Sequence, residues 1–460
     1  MEQCKIYLGP PGCGKTTKLI YIVEDYISNG GDINKVAFLS FTRKAVSEVV
    51  DRLKLKHGIN KKDLFFFRTI HSFCFNLLQM SRDMVIKEED IKEIFESSNI
   101  ETEKRKSYVL LDNITRLKQS NYENIFNEIN PDFGFEEFNS YISKKNEEVK
   151  SKFKFDFTDI LEFYLQYGNC PAIELLIVDE AQDLSKLQWS IVNKIMKFSK
   201  NVYIAGDDDQ AIFQWAGADV DKFIGLCKKY PVEFLNNSYR LPKDIMTFSE
   251  NLLKKISNRI PKVSFCNKEE GKVNFCVDLL DCPIVDKDSG NWLVLVRNNY
   301  QINSTVDFCR SNSLPYTAPT ESSADDEYEA AVLWEQQKQR ELTIIEKSFL
   351  FNYLKINDKK LNWDEALNID SVNKEYIRSV LRNKEKIDHK SRIVISTIHK
   401  IKGGESDNVF LFVDITKKEY ESMNYNPDAE HRLFYVAVTR AKKNLYICNA
   451  KTNIYYAIGD

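Results

Sequence analysis

The stretch GPPGCGKT, Gly9 to Thr16, follows the apolar segment KIYLG and precedes a segment with helical periodicity. In this strand–loop–helix context, glycines let backbone N–H groups turn toward a phosphate, and the helix N-terminus adds its positive dipole end. We therefore predict a phosphate-binding loop. Lys15 would reach the β- and γ-phosphates of a nucleotide, and the Thr16 hydroxyl would ligate Mg²⁺. The predicted nucleotide-binding residues of this segment are Gly9, Pro10, Gly12, Gly14, Lys15, Thr16 and Thr17.

A second motif, LLIVDEAQD from Leu175 to Asp183, ends an apolar run in two adjacent carboxylates. Asp179, at the end of the predicted strand, can hold Mg²⁺, and Glu180 can polarise an attacking water molecule. Together with the phosphate loop, these carboxylates predict a nucleotide hydrolase.

A third motif, AGDDDQAIFQWAGAD, follows the apolar run VYIAGD. The carboxyl ends of parallel strands meet at one edge of a sheet, so Asp207 and Gln210 should lie near the γ-phosphate. Gln210 can donate and accept hydrogen bonds, which suits it to sense phosphate and position water. We expect at least one acid of the triplet to cap the following turn rather than all three to form a separate metal site.

Seven apolar runs predict buried parallel strands, because they are rich in β-branched and aromatic residues and are bounded by polar ones. These runs are KIYLG, VAFLSF, LLIVDE, VYIAGD, WLVLVR, RIVIST and VFLFVD. They fall into two clusters, which predicts an α/β protein with two doubly wound parallel sheets. We assign the first domain to 1–71 and 155–234 with a helical insertion at 72–154. The second domain is assigned to 235–320 and 391–460 with a reduced helical insertion at 321–390.

The bulk properties narrow the protein class. A chain of 460 residues with 43% hydrophobic and 29% charged residues predicts a globular protein of at least two domains. Neither a membrane-spanning run nor a secretory signal is apparent, so we expect a cytoplasmic protein, in the host cytoplasm if the chain is viral. The ten cysteines include no CxxC pair, which argues against structural zinc. Cys13, within the phosphate loop, is either reactive or buried and inert, and burial is favoured.

Six motifs in this order resemble superfamily 1 helicases of the UvrD/Rep group: GPPGCGKT, VDEAQD, GDDDQAIFQWAGA, NSYRLP, STIHKIKGGE and FYVAVTRAKKNL. The resemblance implies two RecA-like motor domains that use ATP and Mg²⁺ to step 3′-to-5′ along single-stranded DNA. It implies single-strand/duplex junctions as substrates, together with single-strand-binding, replication or repair proteins as partners. RNA stays open as the substrate, since no motif shows whether a 2′-hydroxyl is recognised.

By the same resemblance, several residues near the nucleotide and the strand can be assigned. Catalytic roles fall to Lys15, Asp179, Glu180, Gln210, Arg240 and Arg440. Tyr239 would stack on adenine, Arg432 would assist Arg440, Glu405 would lie near the sugar, and Gln3 would replace the adenine-reading glutamine of the family. The expected strand contacts are Thr42, Arg43, Thr69, His71, Phe73, Phe213, Trp215, Thr397 and His399, with Lys402 along the strand or the domain cleft.

Two aromatic segments leave alternatives open. Phe213 and Trp215 follow Gln210 closely, so they can stack on bases and couple phosphate state to strand binding, or Trp215 can be a core residue. FDFTDIL matches a family motif that closes the first insertion, and Phe155 and Phe157 can equally be core. The leading functional prediction is an ATP-dependent DNA helicase. The alternatives are a translocase that strips proteins from single strands and an ATP-gated binding or loading protein.

Overall fold

In the computed structural model, the described residues are 3–97, 101–268, 271–319, 324–383 and 391–459. They fall into two compact units, 1–239 with 258–265 and 240–257 with 266–460. The boundary after 234 predicted from the sequence therefore differs from the observed division. Residues 235–239 belong to the first unit, where the Leu235 N–H donates to the Leu8 carbonyl at 2.8 Å. Parts of the predicted insertions, 98–100, 321–323 and 384–390, lie outside the described residues.

The first unit is built on a six-stranded sheet in which every strand pairs in parallel, in the order β3-β2-β4-β5-β1-β6. Its strands are β1 Gln3–Leu8, β2 Val36–Ser40, β3 Phe67–Thr69, β4 Leu175–Asp179, β5 Asn201–Gly206 and β6 Val232–Phe234. The four apolar runs predicted as strands in this part of the chain are β1, β2, β4 and β5, so these predictions are confirmed.

Helices cover both faces of this sheet, as expected of a doubly wound fold. Successive strand residues point to opposite faces: Tyr7 and Phe38 pack with α1 and α2, whereas Ile6 and Leu39 pack with α3, α8, α9 and α10. The helix bounds are α1 Lys15–Ser28, α2 Arg43–His57, α3 Ile70–Leu77, α8 Phe157–Tyr167, α9 Lys186–Met196 and α10 Val220–Lys229. Both faces being buried explains why these strands read as continuous apolar runs.

The first insertion is helical and has its own aromatic core, which includes Phe95, Tyr108 and Phe138. Its helices are α4 Glu88–Ser97, α5 Arg105–Leu117, α6 Tyr122–Ile129 and α7 Phe135–Lys152. An ion network ties it to α8: Arg116 of α5 pairs with Asp156 at 3.0 Å and with Glu162 at 2.7 Å.

Asp156 anchors the start of α8, where it forms a capping box with Asp159. Burial opposes its ionisation, but Lys145 and Arg116 lower the pKa of Asp156 to about 2. Phe157 is exposed, so the core alternative for this ring is wrong, whereas Phe155 packs against the core beneath the first sheet.

The second unit contains another parallel six-stranded sheet, ordered β11-β12-β10-β13-β14-β9. Its strands are β9 Lys272–Cys276, β10 Trp292–Val296, β11 Tyr316–Thr317, β12 Ile393–Thr397, β13 Ser406–Leu411 and β14 Ala441–Cys448. The three predicted runs are β10, β12 and β13. A separate two-stranded sheet consists of β7 Asn237–Pro242 and β8 Phe265–Lys268.

The second insertion shares one core with the sheet of its unit, in contrast to the first insertion. Trp334 and Trp363 of the insertion pack in the same buried cluster as Val294 and Ile395 of the sheet. The helices of this unit are α11 Lys243–Lys255, α12 Tyr300–Ser311, α13 Ala324–Gln336, α14 Ile344–Phe351, α15 Trp363–Ala366, α16 Ser371–Arg382, α17 Lys417–Ser422 and α18 Pro427–Val438. Among the described residues, none of the helices of either unit is long and apolar enough to cross a membrane.

The shared core predicts that the second insertion contributes to the stability of its unit. Trp334→Ala should lower the free energy of unfolding by about 3–5 kcal/mol, because it leaves a large cavity among buried side chains. Ile344→Ala, in the same insertion but 86% exposed, is the matched control and should change it by less than about 0.5 kcal/mol. Urea denaturation followed by fluorescence measures both. Equal, small effects would show that the insertion is not part of the core.

Candidate active site

The phosphate loop connects β1 to α1, and its backbone shape depends on glycine. A Cβ atom on Gly9 would lie 2.5 Å from the carbonyl oxygen of Leu235 and 2.6 Å from Cys13 Sγ, so no larger residue fits. Gly14 adopts φ +82°, a left-handed conformation, immediately before α1 begins. The loop therefore turns back on itself at the N-terminus of α1.

The Lys15 side chain is buried against this loop. Its ammonium donates to the carbonyl oxygens of Gly9 at 2.8 Å and Pro10 at 3.1 Å. Cys13 is buried as well, and burial raises the pKa of its thiol, which keeps it protonated and unreactive at neutral pH. The prediction of a buried, inert thiol agrees with this environment.

The two predicted Mg²⁺ ligands are neighbours. Thr16 Oγ1 donates to Asp179 Oδ2 at 2.7 Å, and Asp179 is fully buried at the end of β4. Burial and the adjacent Glu180 raise the pKa of Asp179 to about 7. Ser40 pairs in register with Asp179, and its buried hydroxyl has no hydrogen-bond partner among the residues that the structure describes. Hard oxygen donors, one of them a buried carboxylate, fit a divalent cation.

Glu180 follows directly and adopts φ +53°, which is uncommon for a residue other than glycine. Its N–H donates to Asp179 Oδ1 at 2.9 Å, and its carboxylate accepts from Gln182 Nε2 at 2.5 Å. Gln182 also accepts the N–H of Asp207 at 2.9 Å. Gln182 was not among the predicted site residues, although its position two residues after Glu180 in VDEAQD was a usable indication.

The three aspartates after β5 are fully buried and are matched by basic side chains. Their oxygens lie within 4.8 Å of one another, a spacing that a cation can satisfy. In the structure the Lys262 ammonium fills this role, at 3.0 Å from Asp207 and 2.8 Å from Asp209 and in contact with Asp208. Arg259 donates twice to Asp209, at 2.8 and 2.7 Å. The acids therefore form an ion cluster with lysine and arginine, and this pairing was not predicted from the sequence.

This ion cluster supports Gln210. Asp207 accepts the N–H of Asp209 at 3.3 Å and so caps the short turn Asp208–Gln210, as predicted. The other oxygen of Asp207 accepts from Gln210 Nε2 at 2.6 Å. Although burial favours protonation, Lys262 and Arg259 hold the pKa of Asp209 below its usual value. Gln210 is thus placed at the same sheet edge as the phosphate loop.

The two aromatic residues after Gln210 differ in exposure. Trp215 is 53% exposed, which excludes the alternative that it is a core residue. Phe213 is half-buried, and its ring stacks on Phe41 with centroids 5.3 Å apart. An exposed indole is a surface that a base can stack on.

Five residues of the first unit that are predicted to contact single-stranded DNA lie at or just after the ends of β2 and β3, at the same edge. They are Thr42, Arg43, Thr69, His71 and Phe73. Thr42 caps α2 by accepting the Ala45 N–H, Arg43 is exposed, and Thr69 caps α3. The His71 and Phe157 rings meet edge to face, with their centroids 6.1 Å apart. Burial lowers the pKa of His71 to about 4, so the imidazole is neutral at neutral pH.

Phe73 does not fit its predicted role. Its side chain is only 1% exposed and packs against Phe66 and Tyr164 beneath the sheet. It lies one half-turn of α3 beyond His71, so it points toward the core rather than outward. We correct its assignment from strand contact to core residue.

The proposed adenine-binding residues are placed differently from each other. The N–H of Tyr239 donates to the Gly12 carbonyl at 2.9 Å, and its ring is 61% exposed beside the phosphate loop. Gln3 begins β1, whereas the loop follows the other end of that strand. Since nucleotides bind at the carboxyl edge of a parallel sheet, this position does not support the assignment of Gln3 to adenine.

In the second unit, Arg240 and Arg440 have partners within that unit. Arg240 Nε pairs with Glu405 at 2.6 Å. Burial raises the pKa of Glu405, but the positive charges of Arg240 and Lys442 outweigh this effect and keep the pKa below its usual value. Arg440 is buried at the end of α18 and donates to the carbonyl of Val436 at 2.9 Å.

The remaining predicted residues of this unit lie around β12 and α18. Thr397 ends β12 and is buried, and Lys402 follows in the next turn. Burial, Arg297 and Lys402 lower the pKa of His399 to about 4. Arg432 is buried within α18. The roles of these four residues stay predictions.

Family models match both halves of the chain. Residues 2–231, which include the phosphate loop, Asp179 and Gln210, match the UvrD/REP helicase N-terminal domain. Residues 315–452, which include Glu405 and Arg440, match the UvrD-like helicase C-terminal domain. The chain belongs to the UvrD/Rep helicase family. The predicted α/β fold of two RecA-like units is confirmed by these matches together with the two parallel sheets.

Curated relatives of this UvrD/Rep chain include two staphylococcal proteins. The ATP-dependent DNA helicase PcrA of Staphylococcus aureus is 26% identical over 286 residues, which cover 55% of this chain and 38% of that protein. PcrA of Staphylococcus epidermidis is 25% identical over 282 residues, with the same coverage of each chain. This chain therefore covers well under half the length of these relatives.

The ion cluster of this family member generates a stability prediction. Lys262→Met should lower the free energy of unfolding by about 3–5 kcal/mol, because three buried carboxylates lose their shared cation. Adding Asp208→Asn should restore part of the loss by removing one of the charges. Urea denaturation of the single and double variants measures both effects. A double variant less stable than Lys262→Met would contradict charge compensation as the role of Lys262.

Proposed function

We propose that this chain is an ATP-dependent motor that moves along single-stranded DNA and separates duplexes. The observation that supports this proposal is the convergence, at one edge of the first sheet, of the phosphate loop, the Thr16–Asp179 pair, Glu180 and Gln210. The residues assigned to contact single-stranded DNA follow β2 and β3 at the same edge. The relatives named ATP-dependent DNA helicase support the same class of activity.

The chemistry proposed for the first unit is in-line attack of water on the γ-phosphate of ATP. Lys15 stabilises the negative charge that develops on the phosphate oxygens. Glu180 accepts a proton from the attacking water, and Gln210 orients that water and the phosphate. Thr16 and Asp179 would hold Mg²⁺, which adds positive charge at the β- and γ-phosphate oxygens. Tyr239 offers an exposed ring for the adenine.

The second unit is proposed to supply Arg240 and Arg440 to the γ-phosphate and Glu405 to the sugar, by resemblance to the family. Arg240 bonds to Glu405 and Arg440 bonds to the Val436 carbonyl, both within the second unit. Each arginine would therefore exchange this partner for phosphate oxygens when it binds the γ-phosphate. A guanidinium suits this role because it stays charged and binds oxygen pairs in a plane.

The strand is proposed to lie across Thr42, Arg43, Thr69 and His71, with Phe213 and Trp215 stacking on bases, and to continue in the second unit past Thr397 and His399. Movement is proposed to be 3′-to-5′, on single strands and at junctions with duplex. Single-strand-binding, replication or repair proteins are the expected partners, in a cytoplasmic setting. Stacking does not distinguish DNA from RNA, so RNA is tested alongside.

A second candidate is a translocase that strips proteins from single strands without unwinding duplexes. The second insertion favours it, because its described helices pack into the core of their unit instead of forming a separate body. An ATP-gated loader is less well supported, since the residues assigned to ATP hydrolysis are all present.

Strand-separation assays should distinguish these candidates. We expect ATP-dependent unwinding of a duplex with a 3′ single-stranded DNA tail, and little with a 5′ tail or an RNA tail. Lys15→Ala should reduce ATP turnover by at least about 100-fold, since it removes a charge that stabilises the transition state. It should abolish unwinding too.

Other results would change the proposal in defined ways. DNA-stimulated turnover without unwinding, together with displacement of a protein block from single strands, would favour the translocase. Turnover by folded Lys15→Ala at the wild-type rate would overturn the assignment of the phosphate loop.

The exposed indole of Trp215 predicts a binding effect. Trp215→Ala should weaken single-strand binding by about 1–3 kcal/mol, the contribution expected of one stacked base. The dependence of affinity on salt should stay the same, because it reports phosphate contacts. Fluorescence anisotropy at two salt concentrations measures both quantities. Phe198→Ala removes another exposed ring of the first unit and is the control, with unchanged affinity expected. Equal affinities for Trp215→Ala and wild type would exclude stacking.

A further inference from the structure

The buried side chain of Gln182 connects the ends of two neighbouring strands. Its Nε2 donates to Glu180 Oε2 at 2.5 Å and lies 3.3 Å from Asp183 Oδ2. Its Oε1 accepts the N–H of Asp207, the residue after β5, at 2.9 Å. The amide of Gln182 thus bonds at both ends. Its N–H group binds the carboxylate that follows β4, and its oxygen binds the backbone that follows β5, close to Gln210.

The neighbouring backbone is shaped around this amide. Gly206 is the last residue of β5, and a Cβ atom there would lie 2.7 Å from Gln182 Oε1 and 2.6 Å from the Phe223 ring. Any larger residue would push the amide out of reach of the Asp207 N–H. Gln182 itself is completely buried, so water does not compete for these hydrogen bonds.

The hydrogen bonds continue beyond Asp207. Asp207 Oδ2 accepts from Gln210 Nε2 at 2.6 Å. An unbroken chain of contacts therefore runs from Glu180 through Gln182 and Asp207 to Gln210. The two residues at its ends are those assigned to the attacking water and to the γ-phosphate.

Glu180 needs such support because its own backbone is unusual. It has φ +53°, and its carboxylate stands beside the fully buried Asp179. Repulsion between adjacent carboxylates would turn the Glu180 side chain away unless a donor held it. Gln182 is a donor to that carboxylate, and its neutral amide adds no charge that would compete with Lys15.

We propose that Gln182 is a positioning residue for ATP hydrolysis, which fixes the Glu180 carboxylate and keeps it in register with Gln210. This inference rests on the proposed function, since it takes Glu180 as the group that accepts the proton of water. It predicts that loss of the amide slows the chemical step while nucleotide binding is retained.

The first test is Gln182→Met, which keeps the length of the side chain and removes its hydrogen bonds. We expect kcat for DNA-stimulated ATP hydrolysis to fall at least about 10-fold, with the Kd for a fluorescent ATP analogue within about 3-fold of wild type. The matched control is Gln301→Met, because Gln301 is also buried, accepts from Asn298 N–H at 2.9 Å and donates to the Asp414 carbonyl at 3.1 Å. The control should keep its kcat. Wild-type kcat in folded Gln182→Met would overturn the proposal.

A double-mutant cycle separates positioning from general stability. If Gln182 acts through Glu180, adding Gln182→Met to Glu180→Gln should not lower the residual kcat further. A further loss equal to that of the single variant would overturn the proposal, because it would show that Gln182 acts independently. If Glu180→Gln alone keeps wild-type turnover, the role of Glu180 in the proposed function fails, and the inference fails with it.

A second variant covers the case in which Gln182→Met does not fold. Gln182→Glu keeps an oxygen that can accept the Asp207 N–H and replaces only the donor to Glu180. At pH 8 it should lower kcat at least as strongly as expected for Gln182→Met. It should also unfold at a lower temperature than wild type, because its buried carboxylate lies beside Glu180 and Asp183, so kcat is measured below the unfolding transition. Wild-type kcat in this variant would overturn the role of the amide donor.

Discussion

Parallel pairing of β4, β5 and β1 is the constraint on which the candidate site depends. Because the three strands run in the same direction and in register, their carboxyl ends lie at one edge. Each strand end then contributes one part of the proposed chemistry: the phosphate loop after β1, the carboxylates of Asp179 and Glu180 at the end of β4, and Gln210 after β5. The residues proposed to contact single-stranded DNA join the same edge through β2 and β3. The proposed nucleotide site and the proposed single-strand site thus share one edge of one sheet.

Buried charge imposes a second constraint, which the protein meets in two places. After β5, three aspartates share Lys262 and Arg259. Between the first insertion and α8, Arg116 and Lys145 neutralise a group of acids that includes Asp156. An unpaired charge in such surroundings costs several kcal/mol, so each cluster holds its segments together firmly. The first cluster supports Gln210, and the second fixes the start of the helix whose Phe157 contacts His71.

The two insertions differ in how they relate to the sheets. The first buries its own aromatic core and is joined to α8 by ion pairs, so it is a distinct helical body within its unit. The second adds Trp334 and Trp363 to the core beneath the second sheet. Both are helical, yet the buried apolar side chains of the first pack on one another, whereas those of the second join the core of its sheet. Substitutions in the second insertion therefore report on the stability of a motor unit.

By itself, the sequence determined the features that depend on neighbouring residues: the phosphate loop, the seven buried strands and the carboxylates that end β4. It did not reveal the edge strands β3, β6, β9 and β11, which lack a continuous apolar run. It also missed β7, β8 and the interior strand β14, whose first half, AKKN, is mostly polar. Tertiary structure alone decided that Phe73 points into the core and that Lys262 meets acids more than fifty residues earlier. It also decided that Gln182 spans two strand ends. Such contacts depend on which strands become neighbours, and no local pattern of residues encodes that pairing.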